Sequence, residues 1–142
     1  MPNTPPNLMA NGAIRPSRFV QLDTSADKKV IEGTANCKLI GVAHEGTNYP
    51  PLSDLSITAY AAEAGEYLKM YGDGDVCLLE AGDAITMGDR LKSDSAGRGV
   101  AIATTGTTIQ QFGAVALQTA SAAGEKILVQ VTSYRSERPA LT

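Results

Sequence analysis

The chain has 142 residues, a length that suits one domain around one core. Hydrophobic residues make up 43%, yet aromatics only 5% and there is no tryptophan, so the core must be built from small aliphatic side chains. A formal net charge of −3 is too weak to steer the chain toward nucleic acid or a membrane, and no apolar run approaches the ~20 residues of a membrane span.

In chain order, residues 1–16 read as an extended arm. Met1-Pro-Asn-Thr-Pro-Pro-Asn-Leu-Met-Ala-Asn-Gly12 holds three of the seven prolines, and Pro removes backbone donors and favours extended backbone. There is no basic segment followed by an apolar one, so no signal peptide is expected and the chain is expected to fold in a cytoplasm. A β domain is expected over 17–134 and a polar tail over 135–142. Within the domain, strands are expected at Arg18–Asp23, Lys29–Glu32 and Cys37–Ala43. Residues 44–55 read as a Pro-containing loop, and Ser56–Ala62 as either a strand or a helical turn. Tyr67–Tyr71 and Val76–Glu80 flank Gly72-Asp-Gly-Asp75, which reads as a hairpin or a tight corner. Short apolar segments follow at Ile85, Arg90–Lys92, Val100–Ala103 and Ala114–Gln118, with turns at Gly82-Asp83, Gly88-Asp89, Ser95-Ala-Gly97 and Thr104–Thr108. Ala120–Gly124 is compatible with one helical turn. Lys126–Tyr134 is the strongest strand, with Ile127, Val129 and Val131 on one face. The fold expected is mainly β: a small single-domain β-barrel or β-clip-like meander with an extended N-terminal arm and little helix.

Candidate chemistry is sparse. His44 is the only histidine, and its neighbours Ser53 and Asp54 sit in the Pro-rich loop with nothing to position them as a catalytic set. Asp73, Asp75, Asp83, Asp89 and Asp94 lie at turns without the spacing of a calcium loop; turn chemistry accounts for them. Lys69, in Tyr67-Leu-Lys-Met70, precedes its turn rather than occupying the tip, unlike the modified lysine of lipoyl or biotinyl carriers. Gly72-Asp-Gly74 and Gly97-Arg-Gly99 lack the Lys-Ser/Thr and the helix of a phosphate loop. Arg15, Arg18, Lys28 and Lys29 form a small basic patch balanced by Asp23 and Asp27, with no aromatic platform for nucleic acid. Cys37 and Cys77 are expected as reduced, buried thiols. No catalytic residue, cofactor or metal is expected.

One series of motifs has a familiar order. Arg18-Phe-Val-Gln-Leu-Asp23 is followed by Ile40-Gly-Val-Ala43, by Glu80-Ala-Gly-Asp-Ala-Ile-Thr-Met-Gly-Asp-Arg-Leu91 with Asp94-Ser-Ala-Gly-Arg98, and by Gly113–Val129. The series resembles the head decoration, or capsid cement, proteins of tailed phages over roughly residues 18–131. The loop around Pro50-Pro51 and the Gly72–Asp75 corner depart from that pattern. The resemblance implies a non-enzymatic β domain of barrel or β-clip type, made in the bacterial host cytoplasm and placed on the outer capsid surface of the virion. It implies as partners the major capsid protein and further copies of the chain, as a homotrimer at threefold or quasi-threefold positions, with neither nucleic acid nor membrane. Leu8, Ile14, Arg15 and Arg18, the apolar and basic groups nearest the arm, are the expected capsid-contact residues. A phage tail or fibre binding module, a carrier-like barrel, and a β-clip domain of a small enzyme remain open at this point.

Overall fold

In the computed structural model, which describes residues 8–44, 61–103 and 109–137, those residues form eleven strands and no helix. The strands are β1 (Leu8–Ala10), β2 (Phe19–Leu22), β3 (Lys29–Glu32), β4 (Leu39–Ala43), β5 (Tyr67–Leu68), β6 (Met70–Tyr71), β7 (Val76–Glu80), β8 (Arg90–Ser93), β9 (Gly99–Ala101), β10 (Gln110–Ala116) and β11 (Lys126–Glu137). They make a six-stranded sheet, β5-β1-β3-β2-β4-β6, and a five-stranded sheet, β7-β11-β10-β8-β9.

The outermost strands of the first sheet are two pieces of one extended segment. Tyr67 and Leu68 pair with β1, while Met70 and Tyr71 pair with β4. Lys69 stands between them, its carbonyl accepting from the His44 N–H at 2.9 Å. The sheet thereby wraps into a nearly closed barrel, which leaves few unpaired backbone groups at its edges. The single strand expected over Tyr67–Tyr71 is thus divided between two partners. Gly72–Asp75 is a corner rather than a hairpin: β6 lies in the barrel and β7 in the second sheet. The corner is pinned to β11 by Gly74 N–H on the Val131 carbonyl and Val131 N–H on the Asp75 carbonyl.

Two cores follow from the alternation of side chains along β2 and β4. Val20, Val30, Ala43, Ala10, Ile14, Ala62 and Leu68 form one cluster inside the barrel. Phe19, Leu39 and Val42 point the other way and meet Leu79, Leu91, Ala114, Ile127, Val129 and Val131 of the second sheet. β2 and β4 are therefore the shared wall. The small side chains that dominate the composition allow the close approaches this needs. At Gly99, which bridges Ala81 in parallel fashion, an added Cβ would lie 2.5 Å from Leu79 Cδ2.

Several segments differ from their sequence expectation. The expected arm divides: residues 1–7 lie outside the described residues, whereas 8–16 belong to the barrel. Leu8–Ala10 pair with both β3 and β5, and Ile14 is fully buried and bridged to Ala62. Prolines and asparagines suggested an arm, but three apolar residues suffice for a strand once two neighbours supply the hydrogen bonds. Ala120–Gly124 is a turn, not a helix. Glu125 there accepts from the Ser121 and Ala122 N–H groups and the Ser121 hydroxyl. β10 starts at Gln110, ahead of the expected Ala114, and carries a bulge between Phe112 and Ala114. β11 runs on to Glu137, into the span expected as a tail. Residues 45–55 of the expected loop, 56–60 of the ambiguous segment, the Thr104–Thr108 turn and residues 138–142 lie outside the described residues.

Candidate interaction surfaces

The residues singled out as capsid contacts fall into two groups. Leu8 is half-buried at the start of β1 and packs against the barrel core. Arg15 has 42% of its side chain exposed. Its guanidinium holds Glu32 at 2.6 and 3.1 Å and reaches the Ala96 carbonyl at 3.4 Å. Ile14 has no exposed surface. Arg18 is also turned inward: Nη1 donates to the Ala96 carbonyl at 2.8 Å, and Nη2 donates to Glu80 at 3.0 Å. These bonds tie the end of β7 and the β8–β9 turn to the barrel, so Arg18 joins the two sheets. The tight Ser95–Gly97 turn lets this happen, because Gly97, at φ +79°, offers its carbonyl to the Phe19 N–H.

The turn aspartates close their own loops. Asp75 accepts from Gly72 N–H, Asp83 from Ala84 N–H and Asp89 from Thr86 N–H. Asp94 accepts from the Ala96 and Arg98 N–H groups and pairs with Arg98 Nε at 3.0 Å. Asp73 accepts from Ser133 N–H across the corner. Each carboxylate accepts from backbone N–H, locally for all but Asp73, and among the described residues no three His, Cys, Asp or Glu side chains gather as a metal set. His44 stacks on Tyr71 with ring centroids 6.0 Å apart; Ser53 and Asp54 lie outside the described residues. Lys69 and Lys28 are exposed, and Lys29 is half-buried in β3. Neither cysteine is in a disulfide. Cys77 is buried as expected, but Cys37 is only half-buried, because β4 begins after it at Leu39. Burial nevertheless raises the Cys37 thiol pKa above its ordinary value, against hydrogen bonds from Thr34 and Ser93 that lower it.

The feature that sequence reasoning missed is the outer face of the second sheet. Along β11 the inward residues are Ile127, Val129 and Val131, which leaves Leu128 and Gln130 outside. Leu128 faces Leu78 on β7, and its carbonyl accepts from the Leu117 N–H beyond β10. In the next row Gln130 lies between Val76 and Val115, and Val115 faces Arg90. Met87 lies at the adjoining turn, where Gly88 N–H donates to the Ala116 carbonyl. Val76, Leu117 and Leu128 thus share one face with Met87 at the turn beside it; these are four of the seven exposed large apolar side chains among the described residues, with exposures of 40–65%. At its flank the Arg90 guanidinium lies 5.3 Å from the Phe112 ring centroid. Apolar patches of this kind mark sites of association more often than bare surface. The alternation in Lys126–Tyr134 was visible in the sequence, but only the register across three strands gathers the outward residues into a patch.

A family model described as phage cement protein matches residues 7–131. No curated protein matches the chain. The match covers most of the sequence, and the chain belongs to the phage cement protein family. The family is structural and non-enzymatic, and it places the chain's role in the phage capsid.

Proposed function

We propose that this member of the phage cement family binds the outer surface of the assembled phage head as a homotrimer and raises the resistance of the shell to heat or internal pressure. The family match over residues 7–131 carries the reading. Supporting it, among the described residues the turn carboxylates are occupied by backbone donors, and the outer face of the second sheet carries exposed apolar side chains. The copies are taken to meet through the outer face of β7, β11 and β10, since homo-oligomer interfaces are more apolar than transient ones. Leu8 and Arg15, at the β1 end, are taken to face the major capsid protein. Ile14 and Arg18 support that end from within.

The physical basis is mass action: a protein that binds the assembled lattice and not its separated subunits shifts the equilibrium toward the lattice. A standard contact buries roughly 800 Å² per partner, and a domain of this size has limited surface to give to the shell. Linking three copies makes the second and third contacts intramolecular and converts weak attachment into stable decoration.

The test compares bare heads with heads to which the purified protein has been added back. Decorated heads are expected to break at a higher temperature, with the added protein seen on the outer surface by electron microscopy. Equal breaking temperatures, or protein located on tails, would overturn the reading and favour the tail or fibre alternative. The solution mass of the native protein and of Leu128→Glu tests the trimer separately: three copies are expected for the first and one for the second.

A further inference from the structure

The dipeptide Asn11-Gly12 lies between β1 and the buried bridge at Ile14. Its geometry suits a reaction within the chain. The Asn11 backbone is fixed, its N–H donating to the Val30 carbonyl at 2.8 Å. Its side-chain amide is exposed and donates from Nδ2 to Asp23 Oδ2 at 2.5 Å. Among the described residues none accepts from the Gly12 N–H. An added Cβ at Gly12 would meet no atom within 4 Å. The nitrogen that follows an asparagine thus has no acceptor among the described residues, the glycine has open space on its side-chain face, and the Asn11 amide is tied to a carboxylate of the β2–β3 hairpin.

We propose that Asn11-Gly12 is a self-modification site, at which slow deamidation, restrained by Asp23, unlatches β1 from the hairpin. The Gly12 nitrogen forms a bond to the Asn11 side-chain carbonyl carbon. The bond from that carbon to Nδ2 breaks, and Nδ2 leaves as ammonia with the proton that Gly12 gives up. The five-membered imide then takes up one water, opening at either carbonyl to leave aspartate or the β-linked isoaspartate. The sum is amide plus water to acid plus ammonia, with no oxidant and no cofactor. Glycine permits the attack because no side chain crowds its nitrogen.

The products cannot keep the latch. A carboxylate at position 11 faces the carboxylate of Asp23 where a donor stood before, and like charges at that distance repel. Isoaspartate also adds one carbon to the main chain between two fixed points, Ala10 in β1 and Ile14 in its bridge to Ala62. β1 must shift or lose pairs with β3 and β5, while the second sheet is untouched. The event is one-way, so it records the age of the protein at the strand where the N-terminal segment enters the barrel. This inference stands independently of the trimer.

The experiment incubates the full-length protein, its Gly12→Ala and Asp23→Ala variants, and a free peptide of residues 8–16 at mildly alkaline pH and body temperature. Peptide mass spectrometry follows the mass gain of amide to acid at residue 11, and hydrogen exchange follows Met9, Ala10 and Asn11. The peptide should convert fastest. The native protein should convert more slowly but measurably, Asp23→Ala several-fold faster than native, and Gly12→Ala several-fold slower. In the converted fraction the β1 amides should exchange faster while Val129 and Val131 do not. A native protein unchanged when the peptide is fully converted would overturn the site. Equal rates for native and Asp23→Ala would overturn the restraint, and unaltered β1 exchange after conversion would overturn the unlatching. Gly12→Ala fits the open space, so it keeps the test decisive even where Asp23→Ala disturbs the hairpin.

Discussion

Replacing Arg18 by methionine removes the guanidinium that joins the barrel to the second sheet. Only 9% of the Arg18 side chain and 19% of the Glu80 side chain are exposed. The substitution leaves Glu80 largely buried without its cation and takes the 2.8 Å donor from the Ala96 carbonyl. Breaking a buried pair on one side costs about 3–5 kcal/mol, because the remaining charge stays desolvated. Glu80 can turn partly to water and Ala96 keeps the longer bond from Arg15, so the lower end applies, about 3 kcal/mol. For a chain of this length that corresponds to a fall in Tm of about 10 °C. The pair itself is not indispensable. Arg18 Nε is buried without a partner, so the charge is imperfectly compensated. Arg18→Met combined with Glu80→Leu should recover to within about 1 kcal/mol of the original, since apolar replacement of both partners is often neutral. Urea denaturation of the original, both single variants and the double variant gives the coupling directly. A single Arg18→Met cost below about 1 kcal/mol, or a double variant as unstable as the sum of the singles, would refute the inward, sheet-joining role of Arg18.

Gly99→Ala should destabilise by about 1–3 kcal/mol by overpacking, since the new methyl meets the fully buried Leu79; calorimetry showing an unchanged Tm would contradict the close approach. In thiol titration Cys77 should react only after denaturation, and half-buried Cys37 slowly in the native state because burial raises its pKa; rapid native reaction of both would be inconsistent with the packing. Hydrogen bonds from Asn11 and then Ser25 hold the Asp23 pKa down, from 3.8 to about 2. A lowered carboxylate pKa means stability that is complete above the unfolded value and lost as pH falls through the folded one. The hairpin should therefore loosen between about pH 4 and pH 2, and Asp23→Asn should remove that acid-dependent step in an NMR titration of Ser25 and Ala26 amides.

The β class, the turns at Gly82-Asp83, Gly88-Asp89 and Ser95–Gly97, and the inward face of the last strand follow from the sequence alone. Alternation of Ile127, Val129 and Val131 is a local property of a half-buried strand, and Asp-capped glycine turns are set by residues within four positions of one another. The ordered motifs over residues 18–131 were also enough to indicate the family. Partner choice was not legible. Period-two alternation says which face of a strand is buried but not which strand lies beside it, so nothing in Tyr67–Tyr71 revealed that it divides at Lys69 to close a barrel. Gln110, buried at 2% and satisfied by Lys92 and both backbone groups of Ala103, looks like a loop residue until those partners are brought to it. Ile14 and Arg18 looked like the exposed base of an arm for the same reason. Their burial depends on Ala62, Glu80 and Ala96, which are distant in the chain and adjacent only after both sheets have formed. Side-chain type and spacing act over a few residues, whereas register and burial depend on contacts across the whole chain, and only the tertiary structure decided those.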